Sequence, residues 1–175
     1  MYLNPNKNPR INTLINPRVN TMINPRVNTM INPRVNTMIN PKVNTMINPR
    51  VNTMINPRVN TMINPRVNTM INPRVNTMIN PKVNSNLNPK INVNFKGLYY
   101  FNLNNELEYF CINNGKDFLL IFDLDLAFSF FAVKHNQNGY VVFNTDNEFQ
   151  FHFETDSKTG FNIFDLNNDW VGFLK

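Results

Sequence analysis

Two different hydrophobic patterns divide the chain near residue 96. Residues 1–96 place one apolar residue before an asparagine at almost every fourth position, and the asparagines from Asn4 to Asn92 form an unbroken series of 23. Residues 97–175 contain short apolar runs separated by segments rich in Asn and Asp. Because such a change of pattern marks a domain boundary, we expect a repeat segment at 1–96 and a second domain at 97–175.

The repeat segment is built from the octad Ile-Asn-Pro-(Arg/Lys)-Val-Asn-Thr-Met, present in eight consecutive copies from Ile15 to Met78. Proline at every eighth residue is incompatible with a continuous α-helix. Asn-Pro favours β-turns, because Asn suits the first turn position and Pro the second. The octad therefore predicts alternating turns and short extended pieces.

The pattern leaves two architectures open for the repeat segment. In the first, successive coils stack as a β-turn solenoid rod, with Ile, Val and Met in a narrow interior and ladders of Asn side chains. In the second, the segment is a flexible linker, as low-complexity repeats often are. The high content of β-branched apolar residues favours the rod.

The second domain repeats with a period of 21, marked by Phe101, Phe122, Phe143 and Phe164. Each unit has an apolar run, an Asx-rich loop and a second run, which together predict a β-hairpin. Turn signals such as Ser157-Lys158-Thr159-Gly160 separate the units. A single hairpin is marginal in water, so we predict an all-β domain of four hairpins with pseudo-fourfold symmetry around a shared aromatic core. The four units are 97–117, 118–138, 139–159 and 160–175.

Some predicted strands are apolar on both faces. In the second strand of unit two, strict alternation places Phe128 and Phe130 on one side and Phe131 and Val133 on the other. Such a strand is buried on both sides or presents a contact surface. Dimerisation, docking onto the repeat segment and binding of a partner would each cover it.

Charge is distributed very unequally between the two parts. The chain has 17 Lys+Arg against 11 Asp+Glu, but residues 1–96 hold 13 of the basic residues and none of the acidic ones. This gives formal charges of +13 and −7, which favour docking of the two parts within or between chains. One basic residue per octad would also form a positive stripe suited to phosphates or other polyanions. The candidate stripe consists of Arg10, Arg18, Arg26, Arg34, Lys42, Arg50, Arg58, Arg66, Arg74, Lys82 and Lys90.

The residues that could carry chemistry are few. Asp165–Asp169 is similar to the opening of a calcium loop, but the glycine and the bidentate glutamate that such a loop needs are missing. The two histidines, His135 in a turn and His152 on the polar face of a strand, lack zinc-ligand spacing. Cys111 is expected to pack as a small apolar residue. We therefore expect no catalytic, cofactor-binding or metal-binding residues.

The chain resembles a known group of bacterial proteins. Its ending, Phe164-Asp165-Leu166-Asn167-Asn168-Asp169-Trp170-Val171-Gly172-Phe173, preceded by Asn-Pro tetrads, is similar to repeat proteins that end in a "4-fold beta flower" domain. The resemblance covers essentially the whole chain and implies a four-hairpin head. It implies no activity and supplies no catalytic or ligand residues.

These observations lead to two functional expectations. The first is a non-enzymatic structural or interaction protein, in which a basic repeat stalk presents or spaces the aromatic-rich β domain. That domain would bind a protein partner or self-associate. The alternative is binding of nucleic acid or anionic polysaccharide through the stripe. The N-terminal residues lack the apolar stretch that a signal peptide would show, and no apolar run reaches the ~18 residues that a membrane span needs. We therefore expect a cytoplasmic protein, with export by a route lacking an N-terminal signal as the alternative.

Overall fold

The computed structural model describes residues 3–135, 138–158 and 160–175, and Thr159 of the predicted turn at 157–160 lies outside them. The C-terminal part is all-β, and each predicted unit contributes two consecutive strands. The strands are β1 Leu98–Asn102, β2 Leu107–Asn113, β3 Phe118–Asp123, β4 Phe128–Lys134, β5 Gly139–Asn144, β6 Phe149–Thr155, β7 Phe161–Asp165 and β8 Trp170–Leu174. The predicted hairpins are confirmed.

The eight strands form a closed antiparallel barrel. Each strand pairs with the next along the chain, and β1 pairs with β8 through Phe101 and Phe173. Closure matters because an open sheet would leave the backbone groups of two edge strands unpaired. The four hairpin loops, at 103–106, 124–127, 145–148 and 166–169, all lie at one end of this barrel.

The same β-bulge occurs in all four hairpins, between the pairing of the period-21 phenylalanine and that of the residue before it. The four pairs at these bulges are Phe101 with Leu107, Phe122 with Phe128, Phe143 with Phe149, and Phe164 with Trp170. The phenylalanines of the series are only 1–2 % exposed. The predicted period of 21 therefore corresponds to matching positions in the barrel.

The bulge changes which side chains share a face. In β4, Phe128 packs on the same side as Phe131 and Val133, whereas Phe130 packs on the other side. The sequence-based placement of Phe128 and Phe130 on one face is wrong, because the extra residue in the bulged strand shifts the alternation by one.

Both sides of the barrel wall are buried. Residues such as Leu119 and Ala132 fill the interior, since eight strands leave just enough room for side chains. Residues such as Phe110 and Phe131 form the outer wall, where they belong to the same apolar cluster as Ile55 of the repeats. Other repeat side chains packed against this outer wall are Leu3, Ile63, Ile71, Ile79 and Leu87. The doubly apolar strands are thus covered by the chain's own repeats.

The repeats form a regular series of turns and no α-helix among the described residues. Pro-Arg-Val makes one turn of each octad. In the turn that follows Asn24, the Val27 amide donates a hydrogen bond to the Asn24 carbonyl oxygen (3.1 Å). Thr-Met-Ile makes the other turn, in most octads as a 3₁₀ turn. The 3₁₀ turns are Pro5–Lys7, Thr13–Ile15, Thr21–Ile23, Thr29–Ile31, Thr37–Ile39, Thr53–Ile55, Thr61–Ile63, Thr69–Ile71, Thr77–Ile79 and Ser85–Leu87.

Asparagine side chains hold successive octads together. Asn28 accepts a hydrogen bond from the Met30 amide through Oδ1 (3.1 Å), which caps the following turn. Its Nδ2 donates to the Met22 carbonyl oxygen of the preceding octad (2.7 Å). The same bridge recurs at every eighth residue as far as Asn92. Asparagines therefore link successive octads, as the stacked architecture predicts, but each link runs from a side chain to a backbone carbonyl oxygen and not between asparagine side chains.

We call residues 7–94 the belt, because they encircle the barrel. The belt touches the first, fourth, third and second hairpins in turn, opposite to their order along the chain, and then returns to the first. Its contacts include Lys7 with Gly97, Ile23 with Asn162, Arg66 with Thr145, Lys90 with Asp125, and a groove that Leu87 shares with Ile112. The repeats therefore lie on the barrel and do not extend from it as a rod or a linker.

Only part of each octad faces the barrel. Ile31 is 3 % exposed and the neighbouring Pro33 is buried, whereas Met30 is 76 % exposed and Val35 is 58 % exposed. The prediction that Ile, Val and Met share a narrow interior is wrong for Val and Met. The belt has no hydrophobic core of its own. Its isoleucine and proline side chains pack on the outer wall of the barrel, which supplies their apolar contacts.

Candidate interaction surface

Turn geometry places the candidate stripe on the outside of the belt. Each of its basic residues follows the proline of an Asn-Pro turn, and the Asn side chain accepts a hydrogen bond from the backbone amide of that residue. Since the proline is buried in every octad from Pro9 to Pro89, the next residue turns away from the wall. All eleven side chains are exposed.

Six of the eleven reach polar or aromatic side chains of the barrel's hairpin loops and bulges. The contacts are Arg18 with Asn104 (3.2 Å), Arg26 over the Trp170 ring (5.4 Å), Arg34 with Asp169, Arg58 with Glu148 (3.6 Å), Arg66 with Asp146, and Lys90 with Asp125 (3.6 Å). The docking that the opposite charges predict thus occurs within the chain. Each exposed ion pair contributes only about 0–1 kcal/mol to stability, so these contacts position the belt but add little to its attachment to the barrel.

The other five basic residues have no ion pair within the described part of the chain. They are Arg10, Lys42, Arg50, Arg74 and Lys82. They form three groups along the belt, Arg10 alone, Lys42 with Arg50, and Arg74 with Lys82, so the belt carries positive charge without an ion pair at three separate places.

Three grooves between belt and barrel share one construction. They have volumes of about 110, 240 and 200 Å³. Their belt residues recur every 24 positions, whereas their barrel residues recur every 21. The corresponding sets are Pro25, Arg26 and Phe164; Pro49, Arg50 and Phe143; and Pro73, Arg74 and Phe122. Three octads of belt therefore match one hairpin of barrel.

One of these grooves lacks a carboxylate that the other two have. Asp169 pairs with Arg34 in the first, and Glu148 with Arg58 in the second. In the third, the corresponding barrel position is Ala127, next to Lys82 in the groove lining. The basic residues of the third groove, Arg74 and Lys82, therefore have no carboxylate in the groove lining.

A buried polar cluster beneath the belt was not predicted. His135 Nε2 and His152 Nδ1 each lie 3.3 Å from Glu154 Oε1, and all three side chains are at most 2 % exposed. His152 Nε2 lies 3.0 Å from Asn168 Oδ1, and the Asn168 amide donates to Asn40 of the belt (3.0 Å). Two residues of the predicted polar face of β6, His152 and Glu154, are therefore buried, and this cluster is linked to the belt by a hydrogen bond through Asn168.

The Asx residues of the hairpin loops act on their own backbone. Asp165 Oδ1 accepts hydrogen bonds from the amides of Asn167 and Asp169, at 2.8 Å each. Asp123 does the same for Asp125 and Ala127. Within residues 3–135, 138–158 and 160–175, no group of three or more His, Cys, Asp or Glu is placed to hold a metal ion.

Cys111 packs as a buried residue of an apolar cluster, as the sequence predicts, and burial raises the pKa of its thiol. Among the described residues, none of the helical segments has the length and apolar character to cross a bilayer. Comparison with family models, curated proteins and solved structures gave no match to this chain.

Proposed function

We propose that the protein is a non-enzymatic interaction module whose belt presents a contact surface to a protein partner. The supporting observation is that every complete octad turns its valine and methionine to solvent, with exposures such as 58 % for Val51 and 76 % for Met54. Exposed apolar surface that continues around a molecule is typical of interaction sites. Methionine suits such a surface because its flexible side chain adapts to a partner.

The partner's chemistry follows from what surrounds these apolar residues. The belt edge carries basic side chains and residues 1–96 contain no acid. An acidic protein surface with exposed apolar side chains would complement both features. The barrel's own aromatic outer wall is covered by the belt, so self-association through that wall is not part of the proposal.

A set of four methionine substitutions tests this surface. Met30, Met54, Met62 and Met70 are each 75–76 % exposed, and their replacement by serine should leave the fold intact. A protein captured by the wild-type chain would be purified and its affinity measured by calorimetry. We expect the four-serine variant to bind at least about tenfold more weakly, because each methionine would lose buried apolar area.

The matched control replaces Thr29, Thr53, Thr61 and Thr69 of the same octads by serine, and it should bind like the wild type. Equal binding by the methionine variant and the control would contradict the proposal. Failure of the wild-type chain to retain any acidic protein would also contradict it.

The alternative function is polyanion binding through the basic stripe, supported by the seven of its eleven residues that have no ion pair within the described part of the chain. Retention on DNA or heparin should then fall steeply with salt, because binding releases counterions. Replacing Lys42, Arg50, Arg74 and Lys82 by glutamine should abolish retention, while the four-serine variant should keep it. No retention of the wild type at low salt would exclude this alternative.

We also propose that the barrel is a pseudo-fourfold domain of the "4-fold beta flower" type. Support comes from the shared bulge in the four hairpins and from the grooves that recur every 21 barrel residues. The ending at 164–173, quoted above, carries the resemblance.

A further inference from the structure

The barrel interior opens at the hairpin-loop end through an aromatic mouth, defined by Tyr100, Tyr109, Phe130 and Phe151. These rings line a cavity of about 90 Å³, and three of them are partly exposed. Ile121, Val142 and Phe153, all buried, also line this cavity. The site faces solvent at one end and is apolar at the other.

The rings of the mouth stand nearly perpendicular to one another. Tyr100 and Tyr109 are 5.3 Å apart at 81°, and Tyr109 and Phe130 are 5.6 Å apart at 78°. Phe130 and Phe151 are 5.8 Å apart at 76°. A series of perpendicular rings around a small space presents both ring edges and ring faces to whatever occupies it.

Gly172 completes this arrangement by having no side chain. It pairs with Ile163 in the position that Tyr109, Phe130 and Phe151 take in the other hairpins. A Cβ atom on Gly172 would lie 2.6 Å from the Phe101 carbonyl oxygen and 3.2 Å from the Tyr100 ring. The missing side chain therefore leaves room for Tyr100 to serve as the fourth ring.

A carboxylate lies at the edge of the mouth. Glu108 is exposed and contributes to the cavity lining, and its Oε1 accepts a hydrogen bond from Asn102 Nδ2 (2.8 Å). Burial raises the pKa of Tyr109, and the negative charge of Glu108 raises it further. The same two causes, in the same order, raise the pKa of Tyr100. The field of Glu108 thus reaches both tyrosines of the mouth.

We propose that the aromatic mouth binds a small quaternary ammonium group, of the kind that choline carries. Ring faces attract cations, and the attraction grows when the cation is desolvated. The cavity is far below the roughly 300 Å³ of a drug-sized site, so only a head group fits. A quaternary ammonium brings no N–H that must find an acceptor in an apolar cavity, and Glu108 supplies the balancing charge.

The direct test compares choline with its neutral tert-butyl analogue, in which carbon replaces the nitrogen. Full-length protein is titrated with each compound while the aromatic side-chain resonances are followed by NMR. We expect choline to bind about tenfold more tightly and to shift the signals of the four mouth rings. Equal affinity for the two compounds, or shifts confined to other aromatic residues, would overturn the proposal.

Two variants and one control sharpen the test. Glu108→Gln removes the exposed charge, and Phe151→Leu removes one ring; each should weaken choline binding several-fold. Glu106→Gln is the matched control, because Glu106 also accepts a hydrogen bond from Asn102 Nδ2 but does not line the cavity. If Phe151→Leu fails to fold, choline binding by Glu108→Gln and the comparison with the neutral analogue still test the proposal. A loss of affinity as large in Glu106→Gln as in Glu108→Gln would contradict the mouth as the site.

The ammonium group could belong to a free molecule or to a lipid head group. Sedimentation with phosphatidylcholine vesicles, with free choline as competitor, separates these sources. If the protein binds the vesicles and free choline competes, the ligand is the lipid head group. If it binds choline but not the vesicles, the ligand is a free molecule. Either result supports the mouth as the binding site. The inference does not depend on the belt surface, since the four-serine variant should bind choline like the wild type.

Discussion

At the scale of single residues, burial of ionisable side chains sets the response of the protein to pH. Burial raises the pKa of Tyr99, Tyr100, Tyr109 and Tyr140 and that of Cys111. These groups stay protonated in the folded state at pH values where they ionise in the unfolded state. Their contribution to stability is therefore complete below their unfolded pKa values and is lost as the pH rises above them. Lys7 and Lys175, whose pKa burial lowers, act in the opposite direction.

We predict that the free energy of unfolding falls as the pH is raised above about 10, where free tyrosine ionises. Tyr100→Phe should reduce the slope of this loss by up to about 1.4 kcal/mol per pH unit, because it removes one of the two largest upward shifts. Denaturant titrations at a series of alkaline pH values measure the slope. An unchanged slope in the variant would show that Tyr100 ionises equally easily in both states.

Residue identities alone predict burial only where the neighbours are close in sequence. The period-21 phenylalanines could be assigned to the core because each ends the first apolar run of a recognisable unit. The burial of His152 and Glu154 could not be predicted, because the neighbours of this cluster are distant in sequence: His152 contacts Asn168, which in turn donates to Asn40 of the belt. Nothing in the local pattern of β6 distinguishes a covered polar face from a solvated one.

At the scale of elements, the two asparagines of each octad are not equivalent. The one before Thr-Met donates to the preceding octad, whereas the one before Pro mainly caps its own turn. We predict that Asn28→Asp destabilises the protein by about 1 kcal/mol more than Asn24→Asp, because only Asn28 loses a bridging hydrogen bond. Aspartate retains the capping oxygen in both variants. The difference between their unfolding free energies, measured in urea, therefore reports the contribution of the hydrogen bond from Asn28 to the preceding octad. Equal losses would mean that the ladder adds no stability.

The groove that contains Ala127 offers a second prediction at this scale. Ala127→Glu should allow an ion pair with Lys82, as Glu148 pairs with Arg58 in the next groove. Because the site is exposed, the expected gain in unfolding free energy is small, about 0.2–1 kcal/mol, and it should disappear at high salt. Ala127→Gln is the control of equal size. A gain shared by both variants would indicate packing and not charge.

Element boundaries followed closely from local signals, but the geometry of the hairpins did not. The apolar run Leu119–Phe122 predicted most of β3, Phe118–Asp123, since Asx residues stop the strand locally. The bulge opposite Phe122 has no comparable signal, because the extra residue is Ser129 in one hairpin and Glu108 in another. This bulge decides whether Phe130 lies on the same side of β4 as Phe128, so the side could not be predicted correctly from the sequence.

At the scale of the whole molecule, belt and barrel complete one another. The barrel has an apolar outer wall that would be exposed without the belt, and the belt has no interior without the barrel. The octad pattern predicted turns but not the ring. The belt closes around the barrel because three octads are as long as the width of one hairpin on the barrel's surface. This match depends on the diameter of the closed barrel, which the octad sequence does not contain.

Small-angle X-ray scattering of the full-length protein tests the encircling belt most directly. A compact chain of 175 residues should have a radius of gyration of about 16 Å, with a single-peaked distance distribution. The value should hold when salt is raised, because apolar contacts, not the exposed ion pairs, attach the belt. A much larger radius, with a long tail in the distance distribution, would contradict the encircling belt and indicate a barrel with an extended stalk.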